Sequence, residues 1–154
     1  MVEKNINVYP ELCTGCSQCE QYCSFKHEKA YSPALSRIKV VKFEERCLSI
    51  PVTCANCKKP LCVEACPVDA IVFDSAAGIV KVVEDLCIGC KKCVKACPVG
   101  AVDIHPEKGT AIKCDYCGGD PECVKYCPTN ALRFDTQHKY VKDKLRSQVK
   151  KNLE

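Results

Sequence analysis

Large aromatic side chains are scarce in this chain of 154 residues, which has no tryptophan and an aromatic content of only 6 %. So little large apolar material cannot build a conventional hydrophobic core. The chain also lacks an apolar N-terminal signal segment, a twin-arginine motif and any apolar run long enough to span a bilayer. These absences favour a cytoplasmic protein without a transmembrane segment, and they predict that something other than side chains fills its interior.

Cysteine, in contrast, is abundant, with 17 residues in the chain. In a reducing compartment, dense cysteine indicates metal binding rather than disulfides, and an odd total argues against a complete disulfide framework. Zinc sites generally use two C-x2-C pairs separated by a longer stretch, often with histidine. Only His27, His105 and His138 occur here, and none has ligand spacing. A zinc-binding interaction module and a disulfide protein therefore remain only as alternatives.

Sixteen of the cysteines form four groups of similar spacing. The groups are Cys13, Cys16, Cys19 and Cys23; Cys54, Cys57, Cys62 and Cys66; Cys87, Cys90, Cys93 and Cys97; and Cys114, Cys117, Cys123 and Cys127. Three closely spaced cysteines can cover three iron corners of a [4Fe–4S] cube, and in ferredoxins the fourth ligates the neighbouring cluster. The pattern predicts four [4Fe–4S] clusters, with three as an alternative, but spacing alone leaves the exchange of the fourth cysteines open.

The segments around the groups predict short elements. The last three groups continue as CPVDAIVFD, CPVGAVDIH and CPTNALRFD, each typical of a helical turn that stops near proline and is followed by a short strand. Hairpins are predicted around Glu44–Glu45, Ser75–Gly78 and Pro106–Gly109. The first group departs from the pattern, because Cys23 lacks its proline and a long insertion follows it.

Other positions carry weaker expectations. Gly15 and Gly89 lie inside cysteine loops, where we expect the backbone to approach sulfur closely. We expect the seventeenth cysteine, Cys47, to be a buried, small apolar side chain in a strand. Near the C-terminus one apolar helical stripe is formed by Val141, Leu145 and Val149. It predicts a terminal helix that packs on its own domain or frays, or alternatively one that docks onto a partner protein.

The formal net charge of +4 does not indicate nucleic-acid binding. Sixteen thiolates and four oxidised cores of formal charge 2+ would add about −8, so the loaded protein would carry about −4. No Gly-rich phosphate loop, HExxH motif or nucleophile elbow occurs in the chain. We therefore predict no catalytic residues and no enzyme activity for the chain alone.

The four groups in this order, with the stretches SPALSRIKVV and PVTCANCKKPLCVEACPVDAI, resemble a known family over nearly the whole chain. This family comprises the four-cluster ferredoxin-type subunits of multisubunit oxidoreductases, known as the DMSO reductase iron–sulfur subunit type. The resemblance implies an α+β fold, in which two pseudo-symmetric ferredoxin-like halves wrap short strands and helical turns around four clusters. The implied parts are an outer half (1–24 plus 108–136), a hairpin insertion (25–52), an inner half (53–107) and a charged C-terminal helix or arm (137–154).

The resemblance also implies four ligand sets. The first set is Cys13, Cys16, Cys19 and Cys127; the second is Cys114, Cys117, Cys123 and Cys23; the third is Cys54, Cys57, Cys62 and Cys97; the fourth is Cys87, Cys90, Cys93 and Cys66. In this arrangement the first cysteine group exchanges its last cysteine with the last group, and the two middle groups exchange theirs with each other.

The chain looks most similar to the small electron-transfer subunit of tungsten aldehyde oxidoreductase-type enzymes. This implies a relay of single electrons in anaerobic metabolism, between a catalytic subunit of tungsten or molybdenum pterin type and a flavin subunit or ferredoxin. Related small subunits serve carbon monoxide dehydrogenase, hydrogenase or formate dehydrogenase, and a free polyferredoxin is a further alternative. Clusters at both ends of the domain would also allow copies of the chain to stack end to end.

Overall fold

Short strands and short helices alternate along residues 4–151, the part of the chain that the computed structural model describes. The strands are β1 (Lys4–Val8), β2 (Lys39–Phe43), β3 (Leu48–Val52), β4 (Ile71–Asp74), β5 (Ile79–Val82), β6 (Val102–Ile104), β7 (Ala111–Lys113) and β8 (Leu132–Thr136). The helices are α1 (Gln18–Glu28), α2 (Leu61–Glu64), α3 (Lys92–Ala96), α4 (Glu122–Lys125) and α5 (Gln137–Lys151). This mixture confirms the predicted α+β class.

The three predicted hairpins are present as the antiparallel pairs β2–β3, β4–β5 and β6–β7. The first has a longer turn than predicted, since a 3-10 turn covers Glu44–Arg46 and Cys47 follows with a left-handed φ of 48°. Cys47 is exposed in this turn. The prediction of a buried strand residue was therefore wrong, because the residue that closes the turn precedes the first paired residue of β3.

A fourth antiparallel pair, β1–β8, was not predicted. It joins the two ends of the chain, with Lys4 opposite Thr136 and Val8 opposite Leu132. Just beyond it, the N–H of Tyr9 donates to the carbonyl of Ala131 at 2.8 Å. This pair carries the first cysteine group, which follows β1, to the last group, which precedes β8.

Helix α5 packs against β1 and β8. This agrees with the predicted alternative in which the terminal helix packs on its own domain. The ring of Tyr140 meets that of Tyr9 edge-on at 5.3 Å between centroids, and the Tyr140 hydroxyl donates to the Val8 carbonyl at 3.3 Å. The packed face is not the predicted apolar stripe, because Val141 and Leu145 are 46 % and 57 % exposed. The side chain of Val149 lies outside the described residues. No helix between residues 4 and 151 has the length and apolarity that crossing a membrane requires.

Cysteines form much of the interior. One core cluster joins Cys19, Cys23, Cys54, Cys114 and Cys123 to buried aliphatic residues. In a second core cluster, Cys93 is buried beside the inner faces of β4–β5 and β6–β7. The scarcity of large aromatic residues is thus matched by thiols at the centre of the fold.

Candidate metal centre

The structure brings the four cysteines of the predicted first set around one cavity. The wall includes Cys13, Cys16, Cys19 and Cys127. Helix α1 begins at Gln18 and places Cys19 in its first turn, while the β1–β8 pair brings Cys127 from the far end of the chain.

A second cavity is lined by the four cysteines of the predicted fourth set. These are Cys87, Cys90, Cys93 and Cys66. Helix α3 carries Cys93, and Cys66 follows helix α2. The arrangement mirrors the first cavity, since three cysteines come from one loop and one comes from another group.

The other two sets contain no exposed cysteine. Cys114, Cys117 and Cys123 each lie close enough to Cys23 for their thiolates to repel its charge. In the third set, Cys62 lies close enough to Cys54 and to Cys97 for the same repulsion. Cys57 follows in the loop after Cys54, and both are near Tyr116.

Contacts between sets give their order in the molecule. Cys19 of the first set neighbours Cys123 of the second, and Cys54 of the third neighbours Cys114 of the second. Cysteines of the third and fourth sets pack against one common core cluster. Two cysteines of the four sets are exposed, Cys16 in the first and Cys90 in the fourth. The sets therefore lie in the order first to fourth, with the two end sets reaching the surface.

Each cysteine loop contains a left-handed residue just before its second cysteine. The φ angles at this position are 70° for Gly15, 43° for Asn56, 66° for Gly89 and 57° for Tyr116. The two glycines also permit close approaches to other segments. A Cβ on Gly89 would lie 2.3 Å from the carbonyl oxygen of Gly109, and one on Gly15 would lie 2.6 Å from Ser49 Oγ.

The Cys-Pro turns repeat as well. A left-handed residue stands three positions after the cysteine in all three, at Asp69, Gly100 and Asn130. The next N–H then points back to the sulfur in two of them, from Ala70 to Cys66 Sγ at 3.2 Å and from Ala101 to Cys97 Sγ at 3.3 Å.

Cys23, which lacks the proline, receives its hydrogen bond differently. It lies inside helix α1, and its Sγ accepts from the backbone N–H of Arg37 at 3.3 Å. Arg37 stands at the end of the segment between α1 and β2. The insertion after the first group thus returns to this sulfur and supplies the donor that a Cys-Pro turn supplies elsewhere.

Backbone N–H groups also reach two further sulfurs, from Asn56 to Cys54 at 3.4 Å and from Ala111 to Cys87 at 3.3 Å. Such bonds stabilise the thiolate form. At Cys66 burial raises the pKa of the thiol, but the N–H groups around Val68 and Ala70 outweigh this and hold the pKa below its ordinary value.

Most of the buried thiols show the opposite shift. Burial raises the pKa of Cys19 and of Cys114 to about 12, and it also raises the pKa of Cys123. All 17 cysteines are free of disulfide bonds. Because buried thiolates repel one another, they require a compensating cation. An iron core supplies that positive charge, so the donor set fits an iron–sulfur cluster.

Unpartnered polar atoms support the same fit. Within residues 4–151, two buried side-chain atoms that lack a hydrogen-bond partner are Arg37 Nε and Thr110 Oγ1. Each belongs to a residue in or beside a segment that contacts a cysteine sulfur. Buried donors normally have acceptors, and the sulfur atoms of a cluster would provide them.

His27 was given no role by the sequence, but helix α1 places its Nε2 atom 3.7 Å from Cys117 Sγ. The same atom lies 3.6 Å from Asp115 Oδ1. Burial, followed by the nearby Arg37 charge, lowers the pKa of His27. This trio of His27, Asp115 and Cys117 shares its cysteine with the second set and is not a separate centre. Sequence spacing could not reveal it, because 90 residues separate His27 from Cys117.

Comparisons with known proteins agree with this chemistry. Residues 45–137 match the family described as 4Fe-4S dicluster domain, and residues 10–26 match the 4Fe-4S binding domain. Together the two matches span all four cysteine groups. Fold and site thus define an iron–sulfur protein of ferredoxin type. The chain belongs to the 4Fe-4S dicluster domain family, and [4Fe–4S] clusters are confirmed as its kind of cofactor.

Several relatives are named as parts of oxidoreductases. The polyferredoxin-like subunit of aliphatic sulfonate oxidoreductase from Pyrococcus furiosus is 42 % identical over 110 residues, covering 71 % of this chain and 63 % of that protein. A tetrathionate reductase subunit from Archaeoglobus fulgidus is 36 % identical over 102 residues, covering 66 % and 49 %. An iron–sulfur protein from Rhodospirillum rubrum is 33 % identical over 135 residues, covering 74 % and 69 %. The chain thus spans between 49 % and 69 % of the length of these relatives.

Among solved structures, the active site complex BamBC of benzoyl coenzyme A reductase contains a similar chain. It is 25 % identical with a TM-score of 0.55, and the match covers 97 % of this chain and 91 % of that one. These relatives support the prediction that the chain is an electron-transfer component and not catalytic alone.

Proposed function

We propose that the chain holds four [4Fe–4S] clusters in the four predicted ligand sets and relays single electrons within an oxidoreductase complex. When bound, the clusters supply one-electron redox centres. The observation that carries the proposal is the ordered row of cysteine sets. Its two end sets line cavities and contain the exposed Cys16 and Cys90, while the eight cysteines of the two middle sets are all buried or half-buried.

The chain's own residues hold and shield these centres. Backbone N–H groups of Arg37, Ala70, Ala101 and Ala111 donate to thiolate sulfur and orient it. Hydrogen bonds to sulfur and burial are also the main means by which a protein adjusts cluster potentials. The exposed sulfurs of the end sets mark where partner proteins approach.

The partner we propose is a catalytic subunit of the tungsten aldehyde oxidoreductase type, with a pterin-bound tungsten or molybdenum, together with a flavin subunit or ferredoxin. The sequence resemblance supports this choice. The similarity to a subunit of a sulfonate oxidoreductase and to a chain of the BamBC complex is consistent with it. Carbon monoxide dehydrogenase, hydrogenase and formate dehydrogenase subunits, or a free polyferredoxin, are the alternatives.

The proposal includes the division of the chain into an outer half (1–24 plus 108–136), a hairpin insertion (25–52), an inner half (53–107) and a terminal helix or arm (137–154). The β1–β8 pair supports the outer half, and the β2–β3 hairpin lies within the insertion. We also propose a reducing compartment, the cytoplasm, as its location, because dense cysteine in such a compartment indicates metal binding.

Anaerobic affinity purification from native cells tests the partner. A tag is placed on the chain, and co-purifying proteins are identified and analysed for tungsten, molybdenum and flavin. A stable complex with a tungsten or molybdenum pterin subunit is the expected result. Isolation of the chain alone, still loaded with iron and able to shuttle electrons, would instead identify a free polyferredoxin.

A further inference from the structure

Lys113, the last residue of β7, is buried with only 3 % of its surface exposed. Its Nζ atom donates three hydrogen bonds, to Val80 O at 2.6 Å, Cys114 O at 2.9 Å and Asn56 Oδ1 at 3.3 Å. An ammonium group has three N–H donors, whereas a neutral amine has two. The three acceptors thus match the three donors of an ammonium group.

This buried cation has no anionic protein partner. Its three acceptors are two carbonyls and one amide oxygen, all uncharged. Across the described stretch from residue 4 to residue 151, Lys113 forms no ion pair with a carboxylate. A buried charge without a counter-charge is strongly unfavourable, so a negative group must lie nearby in the working protein.

The position of Lys113 identifies that group. Its acceptor Asn56 lies between Cys54 and Cys57, and the Asn56 N–H binds Cys54 Sγ. On the other side, Cys114 is the next residue in the chain. The ammonium group thus lies between the second and third ligand sets.

We propose that Lys113 is the counter-ion of the two middle clusters and raises the reduction potential of the cluster held by the third set. This inference rests on the proposed ligand sets. An oxidised cube with four thiolates carries a formal charge of about −2, and one added electron makes it about −3. A fixed cation stabilises the more negative state, so it favours reduction. The effect is electrostatic and involves no proton transfer.

An anaerobic redox titration followed by electron paramagnetic resonance tests the proposal. The variants are Lys113→Met and Lys113→Gln, which remove the charge, and Lys113→Arg, which keeps it. The matched control is Lys59→Met, because Lys59 lies in the loop between Cys57 and Cys62 of the third set but is exposed, so water screens its charge. Iron content is measured on every sample, which tests the ligand sets separately from the role of Lys113.

In each neutral variant with full iron content, the reduction potential of one cluster is expected to fall by at least about 59 mV. This fall corresponds to a tenfold change in the equilibrium toward the oxidised form for one electron. Lys113→Arg and Lys59→Met are expected to stay near the wild-type potential. Unchanged potentials in fully loaded neutral variants would overturn the proposal. So would neutral variants that fail to load iron, since that result would assign Lys113 a role in assembly.

Discussion

Left-handed backbone positions determine how individual residues present the cysteine sulfurs. The sequence identified Gly15 and Gly89 as special, but it did not show that Asn56 and Tyr116 adopt the same conformation in the other two loops. Nor could it show what the glycines avoid. Gly89 faces the carbonyl of Gly109 in the β6–β7 turn, a contact that depends on tertiary packing.

Substituting Gly89 with alanine tests this contact. Gly78 is the matched control, because both have a φ of +66° but a Cβ on Gly78 meets nothing within 4 Å. Gly78→Ala should cost about 1 kcal/mol from the left-handed conformation alone. Gly89→Ala should cost about 1–3 kcal/mol more, because its Cβ forces the β6–β7 turn away. Anaerobic thermal unfolding measures both variants, and equal losses would contradict the account.

The seventeenth cysteine gives a second test at this scale. Because Cys47 is exposed in a hairpin turn and belongs to no ligand set, Cys47→Ser should retain the full iron content. Cys123→Ser removes a buried member of the second set and should lose up to about four irons per chain. Iron analysis and visible absorption of both purified variants provide the measurement. Loss of iron in Cys47→Ser would show that Cys47 is a ligand.

At the scale of elements, local signals were sufficient for hairpins and insufficient for long-range pairs. Turn residues between alternating apolar segments predicted β4–β5 and β6–β7. The β1–β8 pair joins strands from opposite ends of the chain, and no local signal specifies such a partner. The role of the insertion could not be predicted from the sequence either. The N–H of Arg37 reaches Cys23 Sγ only because α1 and a 3-10 turn return the chain to this cysteine.

One carboxylate links the end of α1 to the β6–β7 hairpin. Glu28 is 12 % exposed and its Oε2 atom lies 3.0 Å from Lys108 Nζ and 3.4 Å from His105 Nε2. Burial alone would raise the pKa of Glu28, but Lys108 and His105 outweigh it and hold the pKa below its ordinary value of 4.5. The ionised form therefore stabilises the folded protein.

Glu28→Gln should lower the free energy of unfolding by about 1–2 kcal/mol, as expected for a lost hydrogen-bonded charge. Because the folded pKa is depressed, the difference from wild type should be constant above pH 4.5 and should shrink as the pH falls through the folded pKa. Anaerobic denaturation at several pH values measures it. Glu84→Gln is the control, since Glu84 is 45 % exposed and 3.6 Å from Lys108. A Glu28→Gln difference that already declines between pH 7 and 5 would contradict the assignment.

At the scale of the whole molecule, cysteine spacing predicted the chemistry, whereas the fold determines the order of the sets. The repeated groups were sufficient to infer [4Fe–4S] clusters, and the dicluster family confirms that cofactor. The row of sets and the exposure of Cys16 and Cys90 required the folded chain. The environment of Lys113 also required the folded chain, because its hydrogen-bond acceptors come from three separate segments. End-to-end stacking of copies stays a prediction.

Cluster binding should reverse the sign of the protein's charge. The chain alone has a formal net charge of +4 at pH 7. With four oxidised clusters bound, the net charge becomes about −4. Anaerobic native electrophoresis at pH 7 should therefore move the loaded protein toward the anode and the protein without clusters toward the cathode. A loaded protein that still migrates as a cation would mean fewer clusters or protonated ligands.

The number of clusters is the central claim, and iron analysis of anaerobically purified protein tests it most directly. The account predicts about sixteen irons and sixteen acid-labile sulfides per chain, with broad absorption near 400 nm. About twelve irons would leave one ligand set unused. Zinc in place of iron, or a colourless protein with little iron, would contradict the account entirely.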